Sequence, residues 1–303
     1  MKRSKYIGKI YRYIIDKNYR VMVNTHMGWK SSLSDEEFLR RIFKVKLGYD
    51  LNLENPKTFN EKLQWLKLHD RNPLYTTLVD KYEVKKWVAE RIGEEYIIPT
   101  LGVYNEYSEI DFDALPNQFV MKCTHDSGGV VIVKDKTSFN KKFAEKKLRS
   151  ALKRDFYLPG REWPYKNVAR KIIVEKFMCN EEMAELIDYK LMCFNGKVLY
   201  TFVCSERFSS DGLKVTFFDN NWNVMPFERH YPKSQKLIPK PKQFSEMIKI
   251  AETLAANIPF VRVDLYDISG QIYFGEMTFY PGSGFEEFNP KEWDEKLGKL
   301  ISL

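Results

Sequence analysis

Two segments near the C-terminus, VRVDLYD (261–267) and YFGEMTF (273–279), carry an arginine, an aspartate and a glutamate at spacings that suit phosphoryl chemistry. Side chains alternate along a strand, so Arg262, Asp264 and Tyr266 share one face while Val261, Val263 and Leu265 take the other. On the second segment Glu276 and Thr278 oppose Gly275 and Met277. A hairpin turn at Ser269-Gly270 would pair the two. With Tyr266 opposite Ile272, Glu276 falls opposite Arg262; a register sum larger by two puts it opposite Asp264. Either register keeps Arg262, Asp264 and Glu276 on one face. Two carboxylates beside a guanidinium can hold Mg²⁺ and a transferring phosphoryl group, because oxygen ligands suit a hard cation and arginine suits developing negative charge. The plainer alternative is a surface salt-bridge cluster. YPGSGFEEF follows at once, and its Gly282, Ser283 and Gly284 would either bind a substrate carboxylate through backbone N–H groups or form a tight turn.

A second set lies upstream. In VMKCTHDSGGVVIVKDK (120–136) alternation sends Val120, Lys122 and Thr124 to the face opposite Phe119, Met121 and Cys123, so Lys122 leaves the core. The loop from His125 through Asp126, Ser127, Gly128 and Gly129 can bring backbone N–H groups close to an anion. A strand signal, VVIVK, follows the loop, and neither GxxxxGK[ST] nor GxGxxG occurs, so phosphate loops that lead into a helix are disfavoured. What remains is a glycine flap between antiparallel strands, or an ordinary hairpin. In IIVEKF, Glu175, Lys176 and Phe177 end an apolar strand where a carboxylate and backbone groups could read an adenine edge and Phe177 could cover the ring. In DYKLMC, Asp188 and Lys190 share a face opposite Leu191 and Cys193; exposed alternation on a half-buried strand is the rival reading.

The elements that must position these residues are mostly antiparallel strands after residue 95 and helices before it. From Ser32 to Arg91 helical spacing dominates. The clearest case is LVDKYEVKKWVAERIG, with a D-x-x-E start at Asp80 and Glu83, an apolar stripe of Val84, Trp87, Val88 and Ile92, and a stop at Gly93. Further helices are expected near 143–154, 243–257 and 290–301, and a second hairpin at Asn195-Gly196. KSQKLIPKPKQ reads as an exposed connection. The opening MKRSKYIGKIYRYIIDKNYR reads as one basic amphipathic helix, with Ile7, Ile10, Tyr11, Ile14 and Ile15 on a stripe and Lys2, Arg3, Lys5, Lys9, Arg12 and Lys17 around it. Docking on the body and contact with an anionic membrane face are its two readings.

The chain has 303 residues, 44% hydrophobic and 15% aromatic, which is too much large apolar surface for disorder and enough for a sizeable core. Its formal charge of +8 suits polyanionic partners without choosing among them. Basic residues do not interleave with aromatics in a recognised RNA motif, so no nucleic-acid partner is expected. Cys123, Cys179, Cys193 and Cys204 lack CxxC spacing and the four histidines are scattered, which supports neither a zinc site nor a disulfide framework. With no apolar run of roughly 18 residues and no cleavable leader pattern, a cytoplasmic location is expected, membrane association aside.

The order of these motifs resembles that of ATP-grasp enzymes. In detail, NPKTFNEKLQWLKLHDRNPL, DKYEVKKWVAERIG, VMKCTHDSGG, DYKLMCFNGK, VRVDLYD and FGEMTFYPGSGFEEF are similar to the TupA-like branch, named for teichuronopeptide biosynthesis and found among bacterial surface-polysaccharide genes. The resemblance covers about residue 40 to the C-terminus. It implies an α+β ATP-grasp fold, with two lobes holding ATP between antiparallel sheets and a helical N-terminal extension. The expected divisions are 1–60 for the basic extension, 61–117 for a subdomain before the ATP-grasp lobes, 118–180 for the small lobe and 181–303 for the large lobe. It further implies Lys122 and Lys190 on phosphates, the His125–Gly129 flap above them, Glu175 to Phe177 near adenine, Asp264 and Glu276 on Mg²⁺, and Arg262 on the acyl-phosphate transition state. Where many of these enzymes carry E-x-N, this chain has Glu276-Met277-Thr278, which leaves Thr278 a weak, water-mediated or absent metal ligand. Asp188 is an alternative ribose carboxylate. The implied reaction joins a carboxylate, on a small molecule or a glycan such as a hexuronic acid, to an amine such as an amino acid. A glycosyltransferase or other sugar-modifying transferase is the alternative; it would need a sugar-nucleotide site, and the metal motif read here is R-x-D with E-x-T.

Overall fold

Residues 2–27, 29, 32–179, 186–206, 209 and 212–303 are described by a computed structural model, with side chains from residue 9 onward. The side chains of Lys2, Arg3, Lys5 and Ile7 lie outside the described residues.

Helices come first: α1 (Lys2–Ile15), α2 (Lys17–His26), α3 (Asp35–Leu47), α4 (Phe59–His69), α5 (Leu74–Val79) and α6 (Glu83–Ile92). The single N-terminal helix expected from sequence is instead two, because the Asp16 carboxylate accepts from Asn18 N (2.9 Å) and Tyr19 N (3.0 Å) and caps α2. Capping boxes start α3 at Ser34 and Glu37 and α4 at Thr58 and Glu61. In α6 Val84 and Val88 are buried, and Gly93 ends the helix with a φ of 115°.

Strands β1 (Thr100–Tyr104), β2 (Phe119–Cys123), β3 (Val130–Val133) and β4 (Ile172–Lys176) form an antiparallel sheet in the order β1-β4-β2-β3, with helices α7 (Lys141–Leu152) and α8 (Tyr157–Gly160) between β3 and β4. Phe119, Met121, Cys123, Ile172 and Val174 bury one face against Ala144, Leu148 and Ala151 of α7. Because β1 is the edge strand of this sheet, the expected boundary at 117/118 cuts through it, and the small lobe begins earlier.

Strands β5 (Asp188–Phe194), β6 (Lys197–Ser205), β7 (Lys214–Phe218), β9 (Phe260–Ile268) and β10 (Gln271–Thr278) make the second sheet, ordered β10-β9-β5-β6-β7; β8 (Glu228–Arg229) pairs with β11 (Phe288–Asn289) in a short ribbon. Helices α9 (Phe244–Leu254) and α10 (Glu292–Gly298) complete the chain. Leu191, Cys193, Val261, Val263 and Leu265 share one core with Met247 and Ile250 of α9, and with Phe59 and Leu63 of α4 and Val84 and Val88 of α6. Phe59 meets Phe260 edge-on at 4.9 Å. Residues 61–92 therefore pack into the large lobe's core instead of standing apart as a subdomain.

Both two-residue turns have left-handed backbone, at Asn195-Gly196 and Ser269-Gly270, which suits the right-handed strand twist. After the second turn Tyr273 pairs with Tyr266, and then the register slips. Gly275 is the extra residue of a β-bulge, after which Glu276 pairs with Asp264 and Thr278 with Arg262. Without the bulge Glu276 would sit opposite Val263 and point into the core. Strict alternation, which puts Gly275 on the face opposite Glu276, does not hold across that point. A Cβ on Gly275 would lie 3.0 Å from Asp264 O and from the Tyr266 ring, so a larger residue fits poorly.

Candidate active site

The pairing of β5, β9 and β10 sets Lys190 opposite Asp264 and Asp188 opposite Tyr266, with Glu276 beyond Asp264 on the far strand. Three neighbouring strands thus deliver five charged side chains, Asp188, Lys190, Arg262, Asp264 and Glu276, to one patch. Arg262 Nε donates to Asp264 Oδ1 (2.6 Å), and Arg262 Nη2 donates to both Asp264 Oδ2 (2.6 Å) and Glu276 Oε1 (2.9 Å). Lys190 Nζ bonds Asp264 Oδ2 and lies 2.5 Å from Asp188 Oδ2. Asp264 is 1% exposed and Lys190 8%. The expected alternative of exposed alternation at Asp188 and Lys190 is thus not what the fold builds.

Charge crowding sets the protonation of this patch. Burial alone would raise the Glu276 carboxyl, but Lys81, Arg262, Lys190 and Lys122 outweigh it and hold it at about 2, although the side chain keeps 41% of its surface at the cleft edge. Asp264 goes the other way: burial raises it to about 6, with Arg262 and Lys190 opposing and Asp188 and Glu276 adding. Burial would lower Lys190, and the carboxylates of Asp188 and Asp264 reverse that.

Across the cleft the small sheet presents Lys122 and Glu175. Register places Glu175 opposite Val120 and Lys122 opposite Ile173, on the face away from α7. Glu175, 4% exposed, lies 2.6 Å from Lys122 Nζ through Oε2 and 2.5 Å from Lys85 Nζ through Oε1. Burial opposes its ionisation, and Lys122 and Lys85 overcome this and lower its pKa. Its carboxylate is engaged with two lysines, and Lys85 also donates to Ile98 O (2.7 Å) and Thr100 Oγ1 (2.9 Å). Lys176 is exposed and Phe177 half-buried just beyond. Lys81 spans both lobes, donating to Asp126 O (2.7 Å) and lying 3.8 Å from Glu276 Oε2. Lys81, Lys85, Ile97, Ile98, Lys122, Glu175, Phe274 and Gly275 line the narrow cleft that results.

A pH test follows from Glu175. Its lowered folded pKa contributes stability that is present above the ordinary value of 4.5 and is lost as pH falls through the folded value. Glu175→Gln is expected to be less stable at pH 7 and to lose less on acidification to about pH 3; urea unfolding at the two pH values reads the difference.

Lys81 and Lys85 were not singled out from sequence. The available signal was the D-K-x-x-x-K at 80–85, just ahead of the α6 stripe. Gln64 and Lys67 of α4 were missed as well. Lys67, fully buried, donates to Gln64 Oε1 (2.8 Å), Gly160 O (2.7 Å) and Ser283 O (2.8 Å), and Gln64 Nε2 donates to Gly284 O (2.8 Å). These two residues clamp the Gly282–Gly284 turn, whose three residues all have positive φ. Ser283 N is spent on Tyr280 O (2.7 Å), and Ser283 Oγ bonds Glu162, so neither is free for a carboxylate.

The flap departs from expectation too. His125 and Asp126 are each 2% exposed and turn toward the end of α7, where His125 Nε2 meets Arg154 O (3.2 Å) and Asp126 Oδ2 lies 3.6 Å from Arg154 Nη2. Their side chains point away from the face that carries Lys122. They anchor the flap, and the Asp126 carbonyl accepts from Lys81. Ser127 and Gly128 are exposed at its tip, and Gly129 leaves no room for a Cβ beside Ala151 and the Asp126 carboxylate.

A cavity of about 830 Å³ lies elsewhere: it runs past Gly282 and Ser283 to Glu228, His230 and Tyr231, and is lined also by His26, Ile42 and Lys46. The charged patch does not line it.

Among the described residues no group of three or more His, Cys, Asp or Glu side chains could hold a metal. Asp264 and Glu276 nevertheless converge on one Arg262 nitrogen, and a pair of carboxylates fits Mg²⁺, which takes its remaining oxygens from phosphates and water.

A family model described as TupA-like ATPgrasp matches residues 61–302. The chain belongs to the TupA-like ATP-grasp family. ATP with Mg²⁺ is the cofactor pair of that fold. No curated protein matches the chain. Solved structures similar to it include D-alanine–D-alanine ligase from Bacillus anthracis complexed with ATP (18% identity, TM-score 0.38, 67% of this chain and 55% of that one). Others are the D-alanine–D-alanine ligase of Helicobacter pylori (16%, 0.38, 82% and 70%) and a RimK-domain ATP-grasp protein of Sphaerobacter thermophilus (10%, 0.42, 77% and 70%). The TupA-like chain thus spans little more than half of the first of these. Among its described residues no helix is long and apolar enough to cross a membrane.

Proposed function

We propose that this TupA-like protein is an ATP-dependent carboxylate–amine ligase, and that it joins an amino acid or similar amine to a uronic acid of a bacterial surface polysaccharide or its precursor. The observation that carries the reading is the Arg262–Asp264–Glu276–Lys190 patch facing Lys122, Lys85 and Lys81 across a narrow cleft. Lysines from two lobes suit a polyphosphate. Lys122, Lys85, Lys81 and Lys190 bind phosphate oxygens; Glu175 orients Lys122 and Lys85; Asp188 serves the ribose or holds Lys190. Asp264 and Glu276 would hold Mg²⁺, which would supply positive charge against the phosphates, and Thr278 stands two pairs further along, opposite Arg262. Arg262 meets the charge that develops when the substrate carboxylate takes the γ-phosphoryl group and ADP leaves. The amine then attacks the acyl carbon, losing a proton, and phosphate departs with the bonding pair. The uronic acid rests on analogy with the family, which is found among bacterial surface-polysaccharide genes.

The test supplies Mg·ATP, a panel of uronic acids and a panel of amino acids, and follows phosphate and amide mass. Turnover should need both acid and amine and vanish in Lys190→Ala and Glu276→Ala. Undiminished turnover in these variants, AMP as product, or transfer of a sugar would sink the assignment.

A further inference from the structure

The positive charge of this chain is not spread over it. Residues 1–31 hold eight Lys or Arg against Asp16 alone, a net of +7 out of +8 for the whole chain, so the remaining 272 residues carry only +1. The cleft lysines are matched by the carboxylates described above, and a basic chain-wide balance says nothing about nucleotide binding. It marks the N-terminal helices instead.

Those helices also leave apolar surface uncovered. On α1, Ile10, Tyr11, Ile14 and Ile15 are each about 60% exposed, and Met27 and Trp29 beyond α2 are 67% and 61% exposed. The opposite side of α1 is occupied: Tyr13 donates to Asn24 Oδ1 (2.7 Å) on α2, and Arg12 lies 4.6 Å over the Tyr19 ring. Lys9, Arg12 and Lys17 are exposed on the same two helices. An exposed apolar stripe on helices this basic fits the boundary of an anionic bilayer, where the aliphatic groups leave water and the cations meet headgroup phosphates. Nucleic acid would satisfy the cations and leave the isoleucines in water.

We propose that α1 and α2, with Met27 and Trp29, form a docking surface for an anionic phospholipid membrane. The surface is separate from the cleft, so the proposal stands whether or not the ligase reading does. The probe is the full-length chain floated with vesicles of phosphatidylcholine alone or mixed with about 30% phosphatidylglycerol. Binding is expected to the mixed vesicles only, to weaken as salt rises, and to fall at least tenfold in Ile10→Glu/Ile14→Glu. Lys9→Gln/Lys17→Gln should bind less tightly and respond less to salt. Circular dichroism and thermal melting check that both exposed-face variants fold. The proposal is overturned if anionic vesicles do not bind the wild type, if the isoleucine variant binds them equally well, or if only duplex DNA or RNA retains the chain.

Discussion

Arg262→Ala is expected to lower the rate of ATP turnover on the order of 10²- to 10³-fold, the loss typical when one preorganised charge is removed from a site of developing negative charge. The guanidinium bonds both Asp264 and Glu276, so the substitution also leaves two carboxylates facing each other across a register pair. Arg262→Lys restores the charge without the fork that spans both carboxylates, and should recover only part of the rate. Single-turnover measurements with saturating ATP separate this from weaker binding. A kcat that stays within twofold of wild type would remove Arg262 from the chemistry. A fall in KM affinity with kcat unchanged would make it a binding residue only.

The largest effect on stability is expected at Lys67. Its ammonium satisfies three buried oxygens, from Gln64, Gly160 and Ser283, and it offsets the buried Glu162, whose pKa is raised by burial and pulled back by Lys67. Lys67→Met keeps most of the volume and removes every one of those bonds. The expected cost is about 3–5 kcal/mol, since each buried acceptor left without its donor costs about 1–3 kcal/mol, read as a lower urea midpoint with an unchanged m-value. Pairing it with Glu162→Gln should return part of the loss, because the stranded carboxylate is then neutral. A Lys67→Met protein as stable as wild type would show that water replaces the ammonium.

The sequence made the faces of β2, β5 and β9 legible, because two-residue alternation left Lys122, Asp188, Lys190, Arg262 and Asp264 on the polar side of each strand. It made the register of β10 only half legible. The bulge at Gly275 depends on the close approach of Asp264 O and the Tyr266 ring, which is a tertiary fact. His125 and Asp126 were misplaced for a related reason: alternation ends at Cys123, and a loop turns where its backbone bonds take it. Lys67 and Gln64 read as ordinary polar positions on α4 because the oxygens they serve come from residues about 93 to 220 positions away. Lys81 and Lys85 stood in a quoted motif, but their partners lie on other strands. The N-terminal break at Asp16 is the one local feature that side-chain capping alone could have shown.

The walls of the 830 Å³ cavity come from both sides of residue 61. Gly282, Ser283, His230 and Tyr231 fall within the stretch that the family model matches, whereas His26, Ile42 and Lys46 come from helices that precede it. A recombination upstream of residue 61 can therefore exchange one wall of this chamber and leave every charged residue of the cleft in place.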